Sequence, residues 1–116
     1  MINLKVDEAY AFDYLSILYI KRNHSDCALN SWFHCGYFLE EQLGAELYKS
    51  IVNSEEYANM IEANQKTFKL VDLAKEDKCS AKEVDACNYE RYKAKVTLQN
   101  KFFDQKISEI KIGYEK

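Results

Sequence analysis

Apolar residues recur three and four positions apart along most of this chain, the spacing that places them on one face of an α-helix. The first such stretch predicts a helix from about Val6 to Lys21. Val6, Tyr10, Asp13, Tyr14, Ile17 and Lys21 share one side of it, and Phe12, Leu15 and Tyr19 occupy the other. A helix apolar nearly all round belongs in the centre of a fold or against a second subunit. Asp7 and Glu8 suit the positive end of its dipole. Asn23-His24-Ser25-Asp26 then reads as a turn, with Ser25 or Asp26 capping the next helix.

Ala28, Trp32, Cys35, Leu39, Leu43, Leu47 and Ile51 form one long stripe, interrupted by Gly36 and Gly44. Each glycine costs a helix about 1 kcal/mol relative to alanine, so close approach of a neighbour or a bend near Gly44 is expected in return. Ser54-Glu55-Glu56 predicts a third helix start, followed by Tyr57, Ile61, Asn64, Phe68 and Val71 on one face and an end near Glu76. After Asp77-Lys78-Cys79, the capping box Ser80-Ala-Lys-Glu83 opens a fourth helix from Ala81 to about Lys106. Tyr89, Tyr92, Val96 and Phe103 make its seam, while Leu98 and Phe102 continue the flank that carries Asn88, Arg91 and Lys95. So short a connection makes the last two helices an antiparallel hairpin. The tail from Ile107 to Tyr114 alternates in part and is expected to be extended.

These elements predict an all-α fold: a single domain over 1–116, an up-down bundle of about four helices built around a long antiparallel hairpin, with a short extended C-terminal tail. Composition agrees. The chain is 47% hydrophobic and 14% aromatic, with three glycines and no proline. That is enough apolar surface for a core and too few turn residues for an all-β protein. A net charge of −3 argues against a general affinity for nucleic acid. The stretch 89–111 is locally basic, which reads as a solvated lysine-rich face. The apolar run Tyr14 to Ile20 is too short to span a bilayer and closes on Lys21-Arg22. With acidic residues so early there is no signal peptide to read, so the expected setting is the cytoplasm of a bacterial host, with Cys27, Cys35, Cys79 and Cys87 reduced.

One segment carries a resemblance. Asp13-Tyr-Leu-Ser-Ile-Leu-Tyr-Ile-Lys21 resembles the D-K-L-S-I-L-x-I-K start of a short, uncharacterised helical family associated with tailed phages and with bacterial gene clusters for surface sugars. The second half is similar too: Asn64 before an aromatic and Asp72, then Asp85-x-x-Asn88-x-x-Arg91-x-x-x-Lys95, and Glu109-x-Lys111 in the tail. This chain has Tyr14 where that family often has lysine, lacks its Asn-Asp pair before the arginine, and matches nothing in it from His24 to Ser54. The resemblance implies a shared helical fold and supplies no activity.

Six polar side chains fall on or beside apolar stripes: Asp13, Lys21, Asn64, Asn88, Arg91 and Lys95. Each must find a partner or reach water. In the structural reading they form an interhelical network in which Asp13 accepts from Arg91 or Lys95 and fixes register. In the functional reading Arg91 and Lys95 hold a phosphate, carboxylate or sugar that Asn88 and Asn64 orient. Polar layers are common in helical bundles, which favours the first.

His24, Cys27, His34 and Cys35 are ligand types for zinc, but their spacing fits no standard zinc pattern, and His34 and Cys35 point in different directions. Leu39-Glu40-Glu41 to Glu46-Leu47 resembles the first carboxylate helix of all-α nucleoside-triphosphate pyrophosphohydrolases. Those enzymes need carboxylates one turn apart to share magnesium; Glu41 and Glu46 are five apart, and Glu83 and Asp85 make no better pair. No Gly-rich phosphate loop or nucleophile elbow occurs, and no cofactor is implied. The expectation is a non-enzymatic, phage-like interaction or accessory protein. The apolar first helix and nine tyrosines further suggest a homodimer closed by that helix or by the Trp32 face.

Overall fold

Gly44 divides the long stripe of the first half into two helices. The computed structural model describes residues 5–103 and contains, among them, five helices and no strand: α1 Glu8–Lys21, α2 Asp26–Leu43, α3 Ala45–Val52, α4 Glu55–Lys75 and α5 Ala81–Phe102. The first half thus holds one helix more than its stripe predicts. At Gly44 the backbone turns to φ 91°, which only glycine adopts without strain, and nothing lies within 4 Å of where a Cβ would sit. Gly36 meets the other expectation. The Tyr48 hydroxyl stands 2.8 Å from the position a Cβ would take there, so α3 closes on α2 where α2 lacks a side chain. The two glycines answer to different needs, one a turn and one a contact.

The helix starts follow the capping residues. Ser25 Oγ accepts from the Ala28 N–H at 3.3 Å, and Ser54 Oγ accepts from the Tyr57 N–H at 3.1 Å. Ser80 and Glu83 close a full capping box, and Asp77 makes the turn before it in the left-handed region at φ 57°. α1 begins at Glu8, two residues later than its apolar pattern, and Val6 is exposed. α5 ends at Phe102, short of the expected Lys106, and gives way to extended backbone at Phe103; the expected extended tail lies outside the described residues.

α1 is the central helix. It packs against α2, α4 and α5, while α3 bridges α2 and α4. The longest packing surface is that of α4 on α5, whose opposite directions show where Lys101, near the end of α5, donates to Glu56, near the start of α4, at 2.9 Å. Ala9, Phe12 and Leu15 of α1 form the core with Ile51, Tyr57, Met60 and Leu98. Fully burying each large apolar side chain here stabilises the fold by about 1.5–3 kcal/mol. Phe12 meets Tyr57 edge-on, with ring centroids 6.1 Å apart. The stripe of α2 and α3 turns inward as expected: Trp32, Cys35, Leu39, Leu43 and Leu47 all pack on the core.

Candidate functional site

α1 carries Asp13 and Ser16 one turn apart, and α4 presents Asn64 to both. The Asn64 amide donates to Asp13 Oδ1 at 2.9 Å and to Ser16 Oγ at 2.6 Å. The Ser16 hydroxyl in turn donates to the Asp13 carbonyl at 2.7 Å. With both amide hydrogens committed to acceptors, the orientation of Asn64 is settled by its neighbours. From α5, Arg91 Nη2 reaches Asp13 Oδ2 at 3.4 Å. One carboxylate therefore joins three helices, from positions 51 and 78 residues apart in sequence. Ser16 and Asn64 are almost wholly buried and Asp13 nearly so. Two atoms of the cluster are buried with no hydrogen-bond partner among the described residues, the Asn64 Oδ1 acceptor and the Arg91 Nε donor.

Three expected members remain, Lys95, Lys21 and Asn88. Lys95 is buried, and its ammonium lies over the Tyr10 ring, 4.6 Å from the centroid, where the ring face attracts a cation. Lys21 is exposed at the end of α1 and rests 5.3 Å above the Phe68 ring of α4. Asn88 is half-buried, one turn before Arg91, and joins none of these hydrogen bonds. The structure thus unites Asp13, Asn64 and Arg91, sets Lys95 beside Tyr10, and leaves Lys21 and Asn88 outside.

Besides Ser16, two buried polar residues escape the stripe analysis. Gln99 is fully buried: its Oε1 accepts from the Ala9 N–H at 2.8 Å and its Nε2 donates to Glu8 Oε1 at 2.9 Å. A helix start needs acceptors for its free N–H groups, and here a side chain of α5 supplies one that the Asp7 side chain does not. Gln99 follows Lys95 by four residues and so continues the line of Arg91 and Lys95, the one signal that marks it. Thr67, likewise buried, turns its hydroxyl back to the Ala63 carbonyl at 2.9 Å.

The remaining candidates lie on the surface. His24, Cys27 and His34 are exposed and Cys35 half-buried. Among the described residues no three His, Cys, Asp or Glu side chains come together as metal ligands. Glu41, Glu46, Glu83 and Asp85 are all exposed. Burial pushes the Cys35 thiol up, and burial followed by the charge of Glu83 does the same at Cys79, so neither is a ready thiolate. A groove of about 350 Å³ opens between α4 and α5, but none of the six polar candidates lines it. Its charges neutralise one another through Lys66–Glu62 at 3.4 Å and Lys93–Glu90 at 3.3 Å.

The least explained surface belongs to α2. None of its 18 residues is fully buried, and Phe33, Tyr37 and Phe38 are 61%, 56% and 54% exposed. No described helix is long and apolar enough to cross a membrane. Comparison with protein-family models, curated proteins and solved structures finds no match to this chain.

Proposed function

We propose that this is a non-enzymatic interaction protein that self-associates, and that its working surface is the outward face of α2. The observation that carries the reading is the exposure of Phe33, Tyr37 and Phe38 on one helix. Aromatic residues are enriched at the centres of protein interfaces, and a cluster of them in water has no structural purpose in an isolated chain. The Asp13 cluster takes the structural role, because its carboxylate is occupied by Asn64 and Arg91 from within the fold. In this reading the hairpin of α4 and α5 is the frame of an up-down bundle. The likeness of Asp13–Lys21 to the phage-associated family supports an accessory role in the cytoplasm of a bacterial host.

A photo-crosslinking residue placed at Phe33 tests the reading, with exposed Lys82 of α5 as the control position. The expected result is a protein adduct from position 33 and none from 82. No adduct from either position in the native cell would overturn it.

A second reading has one observation behind it. Arg91 Nε and Asn64 Oδ1 are a donor and an acceptor left over in the same cluster, as a small hydrogen-bonding anion such as a sugar phosphate would use. Inorganic phosphate that raised the melting temperature of the native protein, and not of Arg91→Met, would favour it.

A further inference from the structure

The geometry points to a second copy of this chain as the occupant of the α2 face, packed antiparallel about a two-fold axis between positions 35 and 36. This rests on the reading above and adds the partner and the register. From Cys27 to Leu39 the chain has thirteen consecutive residues without Asp, Glu, Lys or Arg, in a protein that is 30% charged. A surface that closes on itself must carry no like charges near its axis, a demand that a face for a foreign partner does not meet. Charge depletion together with aromatic enrichment is also the composition of interface centres.

Six of the nine exposed residues of α2 lie at mirrored positions. Asn30, His34, Tyr37 and Glu41 form one row along the outward side, with Phe33 and Phe38 on its two flanks. Asn30 and Glu41 stand at equal distances from the point between 35 and 36, as do Phe33 and Phe38, and His34 and Tyr37. An antiparallel pair crossing there sets Asn30 beside the partner's Glu41 and His34 beside the partner's Tyr37. Phe33 and the partner's Phe38 close the row on opposite sides at the same level. The polar pairing is complementary, an amide donor against a carboxylate that already accepts from the Tyr37 hydroxyl at 2.9 Å. Cys27 falls opposite the partner's Gly44, which has no side chain to obstruct it.

Helix α2 is roughly 27 Å long at 1.5 Å per residue. One outward helix face covers about half of the ~800 Å² per partner typical of a stable complex. The dimer is accordingly weak and governed by concentration.

Sedimentation over a wide concentration series tests the inference. The native protein should shift from monomer to dimer, and Tyr37→Asp should hold it monomeric with an unchanged helical spectrum. Asn30→Glu, which faces the partner's Glu41, should weaken the dimer about threefold to tenfold, since two symmetry-related contacts each contribute the modest energy of an exposed charge pair. Adding Glu41→Lys to Asn30→Glu should restore it. A dimer indifferent to both changes, or ready oxidative crosslinking of Cys27 to Cys27, would overturn the antiparallel register. A native protein monomeric throughout would overturn the dimer. The interaction reading would then still stand if position 33 crosslinks to other proteins, and would fall with the dimer if it crosslinks to nothing.

Discussion

Asp13 Oδ2 lies 3.4 Å from Arg91 Nη2, while the other oxygen of the same carboxylate accepts from Asn64 at 2.9 Å. The acid is thus the hub of the cluster, and the base one of its spokes. Removing Asp13 leaves the buried Asn64 amide and the half-buried Arg91 guanidinium without that acceptor; removing Arg91 leaves the Asp13–Asn64 bond in place. Asp13→Ala should therefore destabilise by about 2–3 kcal/mol, near the lower end for a broken buried pair because the Arg91 side chain keeps 26% of its exposure. Arg91→Met, which preserves packing but leaves the Asp13 carboxylate without this cation, should cost about 1–2 kcal/mol, less than Asp13→Ala because the Asn64 bond remains. Urea denaturation of both single variants and the double variant measures this, and equal single costs would refute the asymmetry. Alanine at Arg91 and Lys95 together should lower the melting temperature; a rise would point to a functional site instead.

The polar residues of this cluster are legible in the sequence to the extent that they break an apolar period. Asp13, Asn64 and Arg91 do so and are brought together. Lys21 and Asn88 do so as well, but Lys21 ends its helix and Asn88 lies a turn beyond the level of Asp13, so periodicity names the face and not the height along it. Ser16 and Gln99 pass unnoticed because small or neutral polar residues are ordinary on solvent faces, and only the tertiary packing shows that these two are wholly buried. Gly36 and Gly44 look alike in the stripe. What separates them is a hydroxyl from α3 in one case and a backbone dihedral in the other, neither of which is a local property of the sequence.

Gln99 should prove as consequential as the charged cluster. It satisfies the Ala9 N–H at the start of α1 and binds Glu8 with its amide. Gln99→Met keeps the volume and loses both bonds, so a loss of about 1–2 kcal/mol is expected. Gln99→Glu keeps an acceptor for Ala9 but sets a buried carboxylate against Glu8. It should be less stable than Gln99→Met at pH 7 and regain stability on acidification, as protonation restores a donor to Glu8. Melting curves of the two variants at pH 7 and near pH 4.5 decide this. A Gln99→Glu protein as stable as the native one at pH 7 would show that the Glu8 contact is unimportant.

Gly36 and Tyr48 should be coupled. Gly36 lies inside α2, where alanine is favoured over glycine by about 1 kcal/mol, yet a methyl group there would meet the Tyr48 hydroxyl at 2.8 Å. Gly36→Ala alone should be neutral or mildly destabilising, because displacing the hydroxyl offsets the helical gain. In a Tyr48→Phe background, where the obstructing oxygen is gone, the same change should stabilise by about 1 kcal/mol. Thermal unfolding of the four proteins closes the cycle. An equal effect of Gly36→Ala in both backgrounds would mean that α3 does not approach α2 as described.

Alkaline sensitivity follows from Tyr57. It is 5% exposed, and burial first, then the nearby Tyr48, hold its hydroxyl far above the ordinary tyrosine value. Burial followed by Cys35 and Glu40 raises Tyr48 in the same direction. The folded protein keeps both groups neutral where the unfolded chain ionises, so the unfolded state binds fewer protons above about pH 10 and stability falls as pH rises. The full contribution is present below pH 10 and is lost progressively on the way to the folded-state value. Each such group lowers the unfolding free energy by up to about 1.4 kcal/mol per pH unit. Every other alkaline group is common to the native protein and Tyr57→Phe, so the difference between the two isolates the tyrosine. Urea midpoints from pH 8 to 11.5 should run parallel up to about pH 10 and then diverge, with the native protein losing stability faster. Parallel curves over the whole range would show that the Tyr57 hydroxyl reaches water in the folded state.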